Sequence, residues 1–297
     1  MHIEDRITSD RPLALALGGF DGIHIGHMQV LRSVVTDPSL CPAVFTFRDL
    51  IGTVKRTRRL ASARQRSERL AELGIERLYL ADFDELHMLS PADFVREILH
   101  ERLHARRISC GFNYRFGYRG AGDSNLLKRL CAEYDIETVI AQPVQIDGVP
   151  VSSTRIRQLV AAGEMETAAR MLGRPFEVDF EVVHGRALGR TIGLPTINQP
   201  FPPDFVLPRF GVYAAAVQIG DRVYHAVSNI GVKPTVGADG PLAETCIADY
   251  EGNLYGQCVP VQLLRFLRPE RKFDSIEQLR LQILRDFAEA EQVVSAE

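Results

Sequence analysis

The chain has 297 residues, 45% of them apolar, with 35 basic and 38 acidic side chains and a formal net charge of −3. That is enough for about two domains with full-sized cores. It excludes the basic excess of a dedicated nucleic-acid binder. The basic residues are 31 Arg and only 4 Lys. Five Cys with no C-x-x-C pair argue against a disulfide framework or a zinc ribbon and for a reducing compartment. The opening residues carry no apolar h-region, and no apolar run approaches the ~20 residues that span a bilayer. The expectation is a cytoplasmic protein with no membrane or nucleic-acid partner, acting as a monomer or weak homo-oligomer.

The first part of the chain alternates strand and helix signals. Leu13–Leu17 is an apolar run ending at Gly18-Gly19, and Met28, Leu31, Val34 and Val35 then repeat at helical spacing. Ala43–Phe47 reads as a buried strand, 63–73 as a helix closed by Gly74, and Leu78–Leu80 as a short strand. Ser90-Pro91-Ala92-Asp93 combines a Ser cap, a first-position Pro and an acid, predicting a helix to about Leu103. Arg107–Cys110 and Glu137–Ile140 read as further strands around a helix near Asn125–Tyr134. The alternation predicts an α/β, Rossmann-like parallel sheet with helices on both faces.

The pattern changes near residue 173. Helical stretches Thr154–Ala162 and Glu164–Leu172 end at Gly173-Arg174-Pro175. Short strand-like runs follow, Phe176–His184, Val212–Ile219, Val223–Ser228, Glu244–Ala248 and Val259–Leu267, punctuated by Gly and Pro. They predict a small β-barrel. Its closing helix, Ser275–Ala290, has Ser275 and Gln278 at capping-box spacing. The expected domains are 1–172 and 173–297, each folding alone.

Three segments of the first half carry chemistry. Gly18-Gly19-Phe20-Asp21-Gly22-Ile23-His24-Ile25-Gly26-His27 sits at a strand-to-helix switch, where α/β sheets bind anions. Glycines let the backbone approach a phosphate. His24 and His27, three residues apart, can neutralise charge on a phosphate in flight. Gly111-Phe112-Asn113-Tyr114-Arg115-Phe116-Gly117 follows a strand, and Ser152-Ser153-Thr154-Arg155-Ile156-Arg157 opens a helix with hydroxyls, N–H groups and Arg suited to a triphosphate.

In the second half, Gly185-Arg186-Ala187-Leu188-Gly189-Arg190-Thr191-Ile192-Gly193-Leu194-Pro195-Thr196-Ile197-Asn198 has glycine spacing suited to a loop over phosphates. Thr196 and Asn198 offer uncharged oxygens suited to Mg²⁺. As composition alone this is a polar turn. Glu244, at a strand start, offers a carboxylate that can take a proton from an attacking alcohol, or is simply an exposed strand-end acid.

The H-x-G-H segment resembles the signature of the nucleotidyltransferase superfamily. With the other motifs in order, nearly the whole chain, from about 13 to 287, resembles the bacterial bifunctional riboflavin kinase/FAD synthetase family. The resemblance implies a nucleotidyltransferase domain followed by a riboflavin-kinase barrel. It implies phosphorylation of riboflavin to FMN and adenylylation of FMN to FAD, with ATP and Mg²⁺. By the same resemblance His24, His27, Asn113, Ser153, Thr154 and Arg157, with Gly19, Phe20, Asp21 and Gly22 of the turn, serve adenylyl transfer. Gly185, Arg186, Gly189 and Gly193 hold the kinase ATP, Thr196 and Asn198 the Mg-ATP, and Glu244 is the base. Asn229-Ile230-Gly231-Val232-Lys233-Pro234-Thr235 and Arg271-Lys272-Phe273-Asp274-Ser275 also match family segments.

The chain departs from the family at two places. The family usually reads T-F-x-P-H-P after its second strand. Here Thr46-Phe47 leads into Arg48-Asp49-Leu50-Ile51-Gly52, with a basic run at 55–59 that is either a solvated loop or a compensating phosphate contact. The family's E-T-H-I is Glu244-Thr245-Cys246-Ile247. A riboflavin kinase with a weak or inactive adenylyltransferase domain is the nearest alternative. A non-catalytic flavin-binding protein on the same fold is the second.

Overall fold

A computed structural model of the chain describes residues 1–48, 57–185, 194–232 and 240–294. Two compact units divide it, Met1–Ser153 and Thr154–Glu297.

The first unit is built on a six-strand sheet. Its strands are β1 (His2–Glu4), β2 (Leu13–Leu17), β3 (Cys41–Phe47), β4 (Arg77–Ala81) and β5 (Ala105–Gly111). After a ribbon of β6 (Arg115–Phe116) and β7 (Gly122–Asp123) comes β8 (Glu137–Ala141). A second ribbon, β9 (Gln145–Ile146) and β10 (Val149–Pro150), follows. The sheet order is β1-β4-β3-β2-β5-β8, and every pairing in it is parallel.

Among the described residues, the α-helical segments of this unit are α1 (Ile25–Arg32), α2 (Ala63–Glu72), α3 (Phe83–Leu86), α4 (Pro91–Asp93) and α5 (Ser124–Ala132). All five residues of β2 are buried, as expected of a parallel strand covered on both faces. Leu13, Leu15 and Leu17 pack in one cluster with Phe94, Ile98 and Leu127. Ala14 and Ala16 face the other way, toward Val30, Leu31, Val34 and Leu70. The Leu/Ala alternation thus places large side chains on one face and close helix approach on the other.

The predicted Ser90 cap is present, its Oγ accepting from Asp93 N at 3.1 Å. Beyond α4 the chain runs as a π-helical stretch, Phe94–Arg102, and Leu103 N donates five residues back to Ile98 O at 3.0 Å. Gly74 takes φ +84° after α2, the left-handed stop that glycine permits. The edge strand β1 carries no sequence signal of its own. It is three residues long and is held by its pairing with β4.

The second unit starts with the rest of α6 (Ser153–Ala162), then α7 (Met165–Leu172). Met165, Ala168, Met171 and Leu172 are buried, and α7 packs against β11 (Phe176–Val178) and the later strand 261–268. Strands β12 (Thr196–Pro200), β13 (Gly211–Ile219), β14 (Arg222–Val232), β15 (Pro241–Ile247) and β16 (Val261–Arg268) complete an antiparallel sheet. Its order is β11-β16-β13-β14-β15-β12. The run read as one strand, Phe176–His184, is regular only over β11. It then makes single bridges, Glu181 to Cys258 and Val183 to Asn198. These carry it from the β16 edge to the β12 edge, which is how the sheet curls.

The closing helix α8 (Ile276–Val294) lays Ala290 and Val293 on Val212, Ala214, Ala216, Val227 and Leu264. Its cap is as predicted on one side, with Ser275 Oγ accepting from Gln278 N at 3.2 Å. The Gln278 side chain accepts from Asp274 N, one residue earlier than a capping box requires. Arg268, at the end of β16, grips both carboxylate oxygens of buried Asp286 at 2.7–3.2 Å. Among the described residues no helix is long and apolar enough to cross a membrane.

Candidate active sites

In the first unit β2 and β5 are hydrogen-bonded neighbours, with Leu17 level with Cys110. Among the five strands from β2 onward, these are first and fourth in chain order. The strand order therefore reverses between them, and ligands bind at such a switch point. The Gly18–His27 segment leaves the carboxyl end of β2, and the Phe112–Gly117 segment leaves the same end of β5. Two motifs almost a hundred residues apart are thereby brought side by side.

The first turn is tight. Phe20, Gly22 and Ile23 all have positive φ, and Phe20 and Ile23 are buried, so packing holds the unfavourable backbone of the non-glycine pair. His24 caps α1, with Nδ1 accepting from His27 N at 3.2 Å. A neutral ring accepting at Nδ1 carries its proton on Nε2, which makes Nε2 the donor. The rings of His24 and His27 stack, with centroids 3.6 Å apart and planes 14° from parallel. Phe20 meets His27 edge-on at 5.3 Å. A Cβ on Gly26 would lie 3.2 Å from His24 Cε1 and Nδ1, so the glycine of H-x-G-H makes room for the stacked pair.

Asp21 is buried and ties segments together. Its carboxylate oxygens accept from Leu60 N at 3.0 and 3.2 Å, and its backbone O accepts from Ser153 Oγ at 3.0 Å. Arg66 lies beside it. Burial lowers the guanidinium pKa, while the Asp21 charge raises it. Asp21, Arg48, Arg59, Ala61, Ser62, Ala63 and Arg66 line a small polar cleft.

Asn113 is exposed at the start of the β5 loop. Tyr114 stacks with Phe116 at 6.0 Å, and burial raises its phenol well above the usual range, so the ring is a neutral wall. Gly117 must be glycine: it has φ +73°, and a Cβ there would meet Pro91 at 2.8 Å. Thr154 and Arg157 follow Ser153 on α6.

In the second unit the kinase candidates converge through strand register. Thr196 is opposite Cys246, Asn198 opposite Glu244, and Glu244 opposite Asn229. Directly opposed residues share a sheet face. Asn198, Glu244 and Asn229 therefore form a polar row across β12, β15 and β14. It lies on the face that α8 covers, since Asn229 and Val227 alternate with buried Ser228. Ser228 and Thr245 pair at 2.9 Å on the opposite face.

Thr196 Oγ1 donates to Glu244 Oε1 at 3.2 Å. A Cβ on Gly185 would lie 2.5 Å from Asn198 Nδ2, so only glycine lets the chain pass over Asn198. One residue earlier, His184 stacks on Tyr255 at 3.7 Å. Burial, then the Glu244 charge, pushes the Cys246 thiol up to about 12. The donors are hydroxyl, amide and carboxylate oxygens, the hard set that suits Mg²⁺.

Arg186, Gly189 and Gly193 lie outside the described residues, as do the Asp49–Gly52 replacement of His-Pro and residues 233–235. Sequence patterning alone gives Asn229 and Glu270 no role. The signal that could find Asn229 is its place in the Asn229-Ile230-Gly231 segment, which matches the family.

Residues 6–155 match the family model "FAD synthetase", and residues 172–294 match "Riboflavin kinase". Proteins named bifunctional riboflavin kinase/FMN adenylyltransferase are similar along almost the whole chain. The one from Pseudomonas fluorescens is 35% identical, covering 94% of this chain and 92% of its own. That from Escherichia coli strain K12 is 34% identical, covering 92% and 90%. A crystal structure described as a macrolide-efflux protein from Streptococcus pneumoniae superposes with a TM-score of 0.84 at 30% identity, covering 96% of each chain. With both halves matched, in the same order and over nine-tenths of its length, the chain belongs to the bifunctional riboflavin kinase/FMN adenylyltransferase family.

Proposed function

We propose that this chain phosphorylates riboflavin to FMN with one ATP and adenylylates FMN to FAD with a second. One observation supports this most: the Thr196–Glu244 hydrogen bond beside Asn198, in a chain whose relatives carry both activities in their name. In the kinase step Glu244 accepts the proton of the ribityl 5′-hydroxyl. That oxygen bonds to the γ-phosphorus, the bond to the bridging oxygen breaks, and ADP leaves. Thr196 and Asn198 would hold Mg²⁺ with the ATP phosphates, and the ion offsets phosphate charge. Gly185, Arg186, Gly189 and Gly193 supply the loop over those phosphates.

In the second step an FMN phosphate oxygen attacks the α-phosphorus of ATP and pyrophosphate leaves. His24 and His27 donate to the charge that develops there. The Gly19–Gly22 turn, Asn113, Ser153, Thr154 and Arg157 hold the nucleotide. No covalent protein intermediate is required. The two chemistries divide at residues 172/173, with α7 packed on the kinase side of that division. We assign the reaction to the cytoplasm and to a monomer or weak homo-oligomer, a reading supported by five unpaired cysteines, four of them buried.

The test is incubation with riboflavin, ATP and Mg²⁺, followed by chromatography of the flavins. FMN and FAD together support the proposal. FMN alone favours a kinase with a weak first domain, the reading that the replaced His-Pro segment keeps open. Neither product overturns both.

A further inference from the structure

The polar row on the second unit does not stop at Glu244. Asn229 stands directly opposite Glu244 on β14, and its Nδ2 donates to Glu270 Oε1 at 2.9 Å. Glu270 lies just past the end of β16 and is exposed. Its carboxylate rests on the backbone of Gly231, where a Cβ would come within 2.4 Å of Oε1. Gly231 is two residues beyond Asn229 on the same strand, so the carboxylate occupies the same face of the sheet as Asn229 and Glu244. The Asn-Ile-Gly segment is thus shaped to receive a carboxylate that neither proposed reaction step uses.

That arrangement fixes the Asn229 amide. A carboxylate only accepts hydrogen bonds, so the Nδ2 group must face Glu270 and Oδ1 must face away. Asn229 Oδ1 is buried and accepts no hydrogen bond from any described residue. A buried acceptor without a donor is costly and calls for a donor in the working state. The substrate assigned to this face is a polyol. Riboflavin carries secondary ribityl hydroxyls beside the one that receives the phosphate, and each hydroxyl is a donor. Cβ atoms of opposed residues lie about 5 Å apart. A chain whose terminal hydroxyl meets Glu244 therefore brings another hydroxyl within reach of Asn229.

We propose that Asn229, its amide oriented by Glu270, is a substrate-binding residue of the kinase site that accepts a hydrogen bond from a secondary hydroxyl of the riboflavin side chain. The proposal rests on the kinase reading above. Glu270 acts through Asn229 and is a positioning residue.

The test uses the full chain with riboflavin, ATP and Mg²⁺. Asn229→Ala should raise the KM for riboflavin about 3- to 10-fold, the loss expected for one uncharged hydrogen bond, with the KM for ATP unchanged. Riboflavin affinity read by flavin fluorescence should weaken by the same factor. Glu270→Gln lets the amide turn either way and should give a smaller rise in the same constant. Asn229→Ser, which keeps a short acceptor, should recover part of the loss and serves where Asn229→Ala does not fold. FAD formation from supplied FMN reports that the rest of the chain is intact. Riboflavin constants within twofold of the parent in folded Asn229 variants would overturn the proposal, as would an equal rise in KM for ATP. A parent enzyme that makes no FMN overturns the kinase reading itself and this proposal with it.

Discussion

Thr196 Oγ1 donates its hydrogen bond to Glu244 Oε1 across two adjacent strands, and Asn198 stands opposite the same glutamate. The proposed phosphate side and acceptor side of the kinase therefore share one rigid sheet face. Glu244→Gln keeps size and hydrogen bonding but removes the base, so kinase kcat should fall 10²- to 10⁴-fold. Thr196→Ala and Asn198→Ala should instead raise the KM for ATP and shift the Mg²⁺ dependence. FAD formation from supplied FMN should survive all three. The structure places Glu244 in the middle of β15, half-buried and paired on both sides, rather than at an exposed strand start. Steady-state kinetics on the two half-reactions decide its role; near-normal turnover in Glu244→Gln leaves it as a mid-strand acid outside the chemistry.

The stacked histidines separate two effects. His27→Ala should lower FAD formation by about 10²–10³, the usual loss for one charge-stabilising donor, with FMN formation intact. His24→Ala should do the same and also cost about 1 kcal/mol, because its ring caps α1. Gly26→Ala pushes a methyl to 3.2 Å from the His24 ring and should reduce FAD formation on the order of tenfold. Equal loss of both activities in any of these folded variants counts against the assignment.

The position of α7 sets where the chain can be cut. Its buried residues Met165, Ala168, Met171 and Leu172 belong to the second unit. A fragment starting at residue 154 should fold and keep kinase activity. One starting at 174 loses that apolar cover and should unfold at lower denaturant or aggregate. Equal stability of the two fragments, read by urea unfolding, would show that α7 contributes nothing to the barrel.

The cysteines predict reactivity and alkaline behaviour. Only Cys258 is exposed, so one thiol in five should react with an alkylating reagent at pH 8 in the native protein. Burial raises Cys110 and Cys246 to about 12 and Cys131 to about 11, from 9.0. The native state holds these thiols protonated while the unfolded chain begins to ionise near pH 9. Their contribution is full below pH 9 and is lost as pH rises toward 11–12. The thermal midpoint should fall over that window, and less steeply in Cys110→Ala. A parallel pH profile for that variant refutes the linkage.

Local order is legible in the residues themselves. The Ser90 cap, the Gly74 and Gly173 stops and the buried Leu13–Leu17 strand are contacts within a few residues, and short-range rules describe them. The two chemical motif sets, and the split between a parallel sheet and an antiparallel one, are legible for the same reason. How the Phe176–His184 run crosses between sheet edges and the three-residue strand β1 are not, because each depends on a partner far away along the chain. The same holds for the sites. His24 and His27 meet within one helical turn, so their spacing alone announces them. Asn198, Glu244 and Asn229 come together only through the register of three strands, and Glu270 joins them because the chain just past the end of β16 brings its side chain to Asn229. Register is decided by which faces the whole sheet buries, and a one-residue slip would turn Glu244 to the opposite face. Residue spacing limits which side chains each segment can offer; the pairing of distant strands selects which of them face one another.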